Sequence, residues 1–274
     1  MASVVSGTET GVTRIAAAFE AAPGRAALMP YLMGGFPDAA ASIAIGLACA
    51  DNGADLVELG VPFSDPLADG PVIHAAGTRA LAAGATLHGV REIAARLSER
   101  LPVVLMCYAN LVLARGVERF MDDLASAGAS GLIVPDLPLE EGDAVRAACD
   151  AAALALVPLI APTTPAPRVT EIVGRARGFV YAVSVTGTTG ERGGVDASLA
   201  SVLAHAKAHS PVPVAVGFGI STPEQATEAA AAGADGVIVG SRLVRAAAEA
   251  ADKGEDPAAA VGTLVAALAA GLRR

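Results

Sequence analysis

Hydrophobic residues recur along this chain in short runs separated by longer stretches with helical spacing. Runs that are apolar throughout are typical of strands buried on both faces of a parallel sheet. Eight such runs, rich in Val, Ile and Leu, span residues 27–33, 55–59, 103–108, 131–135, 154–160, 179–184, 214–217 and 236–239. The intervening stretches predict helices, for example over 39–52, 87–100, 117–127, 144–153 and 223–232.

This alternation predicts the α/β class and a single (β/α)8 TIM barrel over residues 1–274. An amphipathic stretch through residues 15–19 predicts an extra N-terminal helix, and the small, polar residues 1–12 before it are expected to be flexible. A doubly wound open sheet is the alternative, although it more often shows fewer strands and one dominant Gly-rich first turn.

Composition narrows the function classes. Hydrophobic residues make up 53% of the chain, but the longest apolar runs, 151–162 and 258–272, are shorter than the roughly 20 residues of a membrane span. The net charge of −9 comes without a long Lys or Arg run, so we expect no nucleic-acid partner. No secretory signal opens the chain, and the three cysteines are widely spaced, so we expect a cytoplasmic protein with free thiols.

One stretch, residues 56–70, carries the strongest chemical signal. Glu58 interrupts an apolar run, and a loop rich in Pro, Gly and Asp follows, with Asp65 and Asp69. Burial raises the pKa of a carboxyl, whereas a carboxyl on a wet loop stays ionised, so such a pair suits proton transfer. The alternative is structural, with a hydrogen-bonded buried Glu and aspartates that cap turns.

Two glycine-containing loops near the end of the chain predict a phosphate site. Residues 217–221 follow the seventh strand, and 239–241 follow the eighth and open a helix. Glycine lets backbone N–H groups approach an anion, and this corner is the usual phosphate site of such barrels. The loop 186–194, polar and Gly-rich, is predicted to be a lid over the substrate, with a plain connector as the alternative.

Several chemistries are excluded by what the sequence lacks. The only lysines, Lys207 and Lys253, fall in helical stretches rather than at strand ends, which excludes a Schiff base. His205 and His209 precede the seventh strand on the wrong side of the barrel, and no metal site is expected. What remains is acid–base chemistry on a phosphorylated substrate with an apolar half. Carbon–carbon cleavage without lysine or metal requires a substrate that supplies its own electron sink.

The stretch LVELGVPFSDPLADGP, residues 56–71, resembles the signature of the tryptophan synthase alpha chain. Further matches lie at 106–110, 134–138, 186–190 and 217–221. The resemblance implies a lyase of tryptophan biosynthesis that cleaves indole-3-glycerol phosphate to indole and glyceraldehyde 3-phosphate, with the indole ring as the electron sink.

The resemblance also implies residue roles. Glu58 is the acid–base group, and Asp69 accepts a hydrogen bond from the indole N–H. The substrate contacts are Tyr31, Met106, Ile133, Ile160, Tyr181, Thr189 in the lid, and Phe218, and the phosphate contacts are Gly190, Gly219, Gly240 and Ser241. No cofactor is implied in this chain. The implied partner is a beta chain that holds pyridoxal phosphate, in an αββα heterotetramer contacted through Asn110, Asp136 and Pro138.

Three positions depart from the family pattern. Val185 stands where some members have Arg, Pro135 stands where some have Ala, and Tyr31 stands where others have Phe. We expect none of the three to touch the acid pair, and we expect them to affect lid closure and communication with the partner. Three other functions stay open: a sugar-phosphate isomerase or neighbouring barrel of the pathway, a free-standing indole-3-glycerol-phosphate lyase, and a non-catalytic barrel that activates a beta-type partner. The isomerase is disfavoured because most such enzymes place Lys, His or Cys at a strand end.

Overall fold

The computed structural model describes residues 10–183, 197–217 and 219–272. In this part of the chain, nine parallel strands form one sheet in the order β5-β4-β3-β2-β1-β9-β8-β7-β6. The strands are β1 Ala27–Met33, β2 Val57–Gly60, β3 Val103–Met106, β4 Gly131–Ile133, β5 Ala155–Val157, β6 Leu159–Ile160, β7 Val180–Val183, β8 Val214–Gly217 and β9 Gly236–Val239.

The sheet closes on itself at Pro158. The sequence predicted one strand over 154–160, but proline has no N–H for a strand ladder, and the run is split into β5 and β6. β5 pairs with β4 and β6 pairs with β7, while the Pro158 carbonyl accepts the Tyr181 N–H at 2.9 Å. Both ends of the sheet therefore lie in one segment. The predicted (β/α)8 barrel is confirmed, and the open doubly wound sheet is excluded.

Helices follow the strands as the pattern predicted, and their ends agree to within a few residues. They are α1 Gly11–Glu20, α2 Ala39–Asp51, α3 Pro71–Ala82, α4 Leu87–Ser98, α5 Ala109–Arg115, α6 Val117–Ser126, α7 Asp143–Ala151, α8 Ala166–Gly174, α9 Ala197–His209, α10 Pro223–Ala231, α11 Ser241–Lys253 and α12 Pro257–Leu272. A short 3-10 helix, Leu139–Glu141, precedes α7. Within the described ranges, none of the helices has the length and apolar character needed to cross a membrane.

The predicted extra helix, α1, covers the amino-terminal end of the barrel. It begins at Gly11, inside the stretch predicted to be flexible, because Thr10 and Thr13 cap its first turn reciprocally. Ile15 is fully buried, and the Arg14 guanidinium donates to the carbonyl of Gly128 at 3.1 Å. These contacts fix α1 against the loops that lead into the strands.

Two aspartates at this same end are fully partnered. The Asp55 carboxylate accepts from the Arg25 guanidinium at 2.7 Å and from the Leu28 N–H at 2.7 Å. The Asp235 carboxylate accepts from Lys207 Nζ at 2.7 Å and from a backbone N–H at the start of β8 at 2.9 Å. Each aspartate therefore ties its own strand to the neighbouring one.

Candidate active site

Glu58 lies on β2, beside Tyr31 of β1, in the interior of the barrel. Only 1% of its surface is exposed, and its Oε2 atom has no hydrogen-bond partner among the described residues. Burial, and then the neighbouring Asp69 carboxylate, raise the pKa of Glu58 from 4.5 to about 8. At neutral pH the group therefore carries a proton that it can donate.

Asp69 lies on the loop between β2 and α3 and is half-buried. The Tyr108 hydroxyl donates to Asp69 Oδ1 at 2.8 Å and accepts the Ala68 N–H at 3.0 Å, while its ring stacks on Phe63 with centroids 5.4 Å apart. Burial raises the pKa of Asp69, and the Tyr108 hydrogen bond and the charge of His74 oppose that rise. Tyr108 therefore fixes the loop and the carboxylate together.

The predicted substrate contacts that the structure describes lie on strands around the barrel mouth, and all but the half-buried Met106 are buried: Tyr31, Met106, Ile133, Ile160 and Tyr181. The two tyrosine rings lie over glycines of neighbouring strands. A Cβ on Gly60 would lie 2.1 Å from the Tyr31 hydroxyl oxygen, and one on Gly217 would lie 2.4 Å from that of Tyr181. Thr189, Gly190 and Phe218, and the predicted lid, fall outside the described residues.

The predicted phosphate loops lie side by side. β8 and β9 pair with Gly217 opposite Ile238, so the loops that contain Gly219 and Gly240 leave adjacent strands. Gly219 has a φ of 76°, which favours glycine. Gly240 is the N-cap of α11, which begins at Ser241, and no side chain caps this helix. Backbone donors at the start of α11 are therefore open toward the mouth of the barrel.

The residues predicted to contact a partner are all exposed: Asn110 in the first turn of α5, and Asp136 and Pro138 on the loop after β4. Asp136 Oδ1 also accepts the Ala109 N–H at 2.8 Å, which joins this loop to the start of α5. Two exposed leucines on the segments after β2 and β3 were not predicted as contacts. Leu67, on the loop that holds Asp69, is 90% exposed, and Leu113, on the same helix as Asn110, is 60% exposed. An apolar residue in a polar loop was the signal that could have identified Leu67.

Neither lysine lies at a strand end, as predicted. Lys207 is on α9, where it pairs with Asp235, and Lys253 is the last residue of α11. His205 and His209 stack on α9 with ring centroids 4.4 Å apart. Among the residues the structure describes, no group of three or more His, Cys, Asp or Glu side chains is arranged to hold a metal ion.

The sequence and the fold match proteins of one family. The family model described as "Tryptophan synthase alpha chain" matches residues 18–273. The tryptophan synthase alpha chain of Gloeobacter violaceus is 52% identical over 236 residues, which cover 85% of this chain and 86% of the relative. That of Methanosarcina acetivorans is 45% identical over 247 residues, covering 89% of this chain and 90% of the relative.

Solved structures agree with the sequence relatives. The Mycobacterium tuberculosis tryptophan synthase structure in space group F222 superposes with a TM-score of 0.86 at 39% identity, covering 95% of this chain and 98% of the matched chain. Tryptophan synthase subunit alpha from Legionella pneumophila str. Paris gives a TM-score of 0.86 at 33% identity, covering 97% and 99%. By family model, sequence identity and fold, the chain belongs to the tryptophan synthase alpha chain family.

Proposed function

We propose that Glu58 and Asp69 carry out the lyase reaction of this family, the cleavage of indole-3-glycerol phosphate to indole and glyceraldehyde 3-phosphate. The observation that carries the proposal is the Glu58 carboxyl, which is 1% exposed and has an Oε2 atom without a described partner. A buried polar atom without a partner costs folding free energy. A substrate that supplies the missing partner explains why the group is there.

Glu58 acts first as an acid and then as a base. Its carboxyl donates a proton to the indole ring carbon that bears the glycerol chain, and this makes the ring an electron sink. The resulting carboxylate removes the proton of the hydroxyl on the adjacent chain carbon. The carbon–carbon bond then breaks, its electron pair returns to the ring, and the chain leaves as an aldehyde. Glu58 ends the cycle protonated, as its raised pKa of about 8 favours.

Asp69 stabilises the ring while it carries positive charge. Its carboxylate accepts a hydrogen bond from the indole N–H, and Tyr108 holds it in place through the 2.8 Å hydrogen bond. A fixed carboxylate in a half-buried site stabilises a developing cation more than water does, because it does not have to reorient during the reaction. The apolar contacts Met106, Ile133 and Ile160 enclose the flat ring.

The phosphate of the substrate binds at Gly219, Gly240 and Ser241, with Gly190 as a further predicted contact. The adjacent loops after β8 and β9 and the uncapped start of α11 support this assignment. Backbone N–H groups at a helix N-terminus bind a phosphate without lysine. The substrate thus extends from the acid pair on β2 to the phosphate loops on β8 and β9.

A beta chain that holds pyridoxal phosphate is the proposed partner, in an αββα heterotetramer, with this chain itself needing no cofactor. The exposed Asn110, Asp136 and Pro138, together with the exposed Leu67 and Leu113, support a contact surface beside the mouth. A cytoplasmic location stays a prediction.

Indole release from indole-3-glycerol phosphate tests the proposal. The purified chain is measured alone and with a tryptophan synthase beta chain, beside its Glu58→Gln variant. We expect weak activity alone, a strong rise with the beta chain, and activity lower by about 10³-fold in the variant. High activity without a partner would instead identify a free-standing lyase. Wild-type activity in Glu58→Gln, or no activity in the wild type with or without the beta chain, would contradict the acid–base role.

A further inference from the structure

Tyr31 stands between the acid pair and the phosphate loops. β1 is hydrogen-bonded to β2 on one side, where Tyr31 lies opposite Glu58, and to β9 on the other, where Pro30 lies opposite Val239. A Cβ on Gly240 would lie 3.4 Å from the Tyr31 Cβ, so the side chain begins beside the phosphate loop. Its ring therefore borders the space that the three-carbon chain of the substrate must cross.

The Tyr31 ring leans toward β2. Its hydroxyl oxygen lies 2.1 Å from the position of a Cβ on Gly60, two positions beyond Glu58 on the same strand. Residues i and i+2 of a strand share one face, so the hydroxyl and the Glu58 carboxyl lie on the same side of β2. The absence of a side chain at Gly60 makes room for the hydroxyl.

The three tyrosines of the chain are Tyr31, Tyr108 and Tyr181. The Tyr108 hydroxyl has two hydrogen bonds, to Asp69 and from Ala68. Tyr31 is 7% exposed as a residue, and its hydroxyl takes part in none of the hydrogen bonds among the described residues. The hydroxyl oxygen is not one of their fully buried unpartnered side-chain atoms, so it keeps an accessible surface at which a ligand can bind. A polar group without a protein partner that faces a substrate site indicates a ligand contact.

We propose that the Tyr31 hydroxyl donates a hydrogen bond to the substrate oxygen on the chain carbon next to the indole ring, the oxygen that becomes the aldehyde carbonyl. This inference rests on the proposed function of Glu58. That oxygen must lie within reach of Glu58, which removes its proton. The Tyr31 hydroxyl lies beside Gly60 of β2, two positions beyond Glu58 and on the same face of that strand. The hydrogen bond stabilises the negative charge that gathers on this oxygen as the proton leaves.

The Tyr31 hydroxyl is protonated, as a hydrogen-bond donor must be. Burial, and then the nearby Asp69 and Glu58 carboxyls, raise the pKa of Tyr31 well above its ordinary value. The phenol therefore keeps its proton over the whole pH range in which the site works. A phenylalanine at this position would fill the same space but would lack the donor, so the hydroxyl adds a contact that the ring alone does not provide.

The test is Tyr31→Phe, assayed for cleavage of indole-3-glycerol phosphate and for binding of indole-3-propanol phosphate, which has the ring and the phosphate but neither chain hydroxyl. We expect kcat/KM to fall about tenfold, the effect of one lost hydrogen bond. The Kd of the analogue should not change, because it has no oxygen at the contact. The pH at which kcat/KM declines should also stay fixed.

Tyr108→Phe is the matched control, since it removes a hydroxyl that touches Asp69. It should weaken binding of the analogue, which keeps the indole N–H. The inference is overturned if Tyr31→Phe leaves kcat/KM within twofold, weakens analogue binding in parallel, or shifts the pH profile, since a shift would mean that the hydroxyl acts on Glu58 itself. If Glu58→Gln stays active, the proposed function fails instead, so the two failures are distinguishable.

Discussion

The two ends of the barrel differ in how their carboxyl groups are partnered. At the amino-terminal end, Asp55 and Asp235 pair with Arg25 and Lys207 and also accept backbone N–H groups. At the carboxyl-terminal end, Glu58 has an oxygen without a partner, and Asp69 has a hydroxyl partner but no ion pair among the described residues. Asp55 and Glu58 are three positions apart on one stretch of chain.

The paired carboxylates at the amino-terminal end stabilise the fold, whereas the carboxyl groups at the carboxyl-terminal end are available for the reaction. A paired carboxylate holds two strands together and has no free capacity for a substrate. An acid held in an apolar site without a partner costs folding free energy, but it keeps a proton and an open oxygen for the reaction. Substitutions at the two ends should therefore have opposite effects on activity and on stability.

The largest expected effect is the loss of activity on Glu58→Gln. The amide keeps the size of the side chain but cannot transfer the proton, so indole release should fall by about 10³-fold, within the range for a lost acid–base group. Steady-state kinetics and circular dichroism, measured on the same preparations, check this result. A variant that is inactive because it is unfolded would not count as support.

Asp55→Ala should instead weaken the fold and leave the chemistry intact. It leaves the Arg25 guanidinium and the Leu28 N–H without their partner, and the expected cost is about 2–4 kcal/mol in the free energy of unfolding. Asp51→Ala is the control, because the Asp51–Arg100 pair is 58% and 50% exposed and should contribute less than about 1 kcal/mol. Urea unfolding and kcat are measured together. Equal losses in both variants would contradict the comparison.

The pH dependence of stability should separate the two ends further. The folded state holds a proton on Glu58 with a pKa of about 8, whereas the ordinary value is 4.5. Because the unfolded chain loses this proton first, the wild type loses stability as pH rises from about 4.5 to about 8. Glutamine does not titrate, so the Tm of Glu58→Gln minus that of the wild type should rise by several degrees across this range and stay constant below it. A difference independent of pH would show that folded Glu58 is ionised at neutral pH.

The smallest effect is expected at Tyr108, which acts through Asp69. Tyr108→Phe removes the hydrogen bond to Asp69 Oδ1 and the acceptor for the Ala68 N–H, while the ring can still stack on Phe63. We expect kcat/KM to fall about tenfold, because the carboxylate is less firmly placed. Phe63→Leu, which keeps the hydroxyl, is the control for loss of stacking alone. An unchanged kcat/KM in Tyr108→Phe would mean that other contacts hold the loop.

Sequence could predict what local patterns determine. The apolar runs identified the strands, and Glu58 stood out because a charge inside such a run is rare. Tyr108 was not predicted as the group that holds Asp69, because the two are 39 positions apart and meet only through the path of a loop. The exposure of Leu67 and Leu113 was also not predicted, since the same residue type fills the core elsewhere. The sequence shows Pro158, but the apolar residues on both sides of it led to the prediction of one continuous strand over 154–160.

The interruption at Pro158 has a consequence for how this enzyme can evolve. Ile160, a predicted contact of the indole ring, lies on the two-residue β6, which pairs with β7 only, whereas Glu58 lies on β2, which is paired on both sides. Residues of β6 can change size with little disturbance of the catalytic strand, because four strands, β7, β8, β9 and β1, lie between β6 and β2 in the sheet. Variants selected to accept larger or substituted indole rings are therefore expected to carry substitutions at residues 159–160, because changes on this segment leave Glu58 in place.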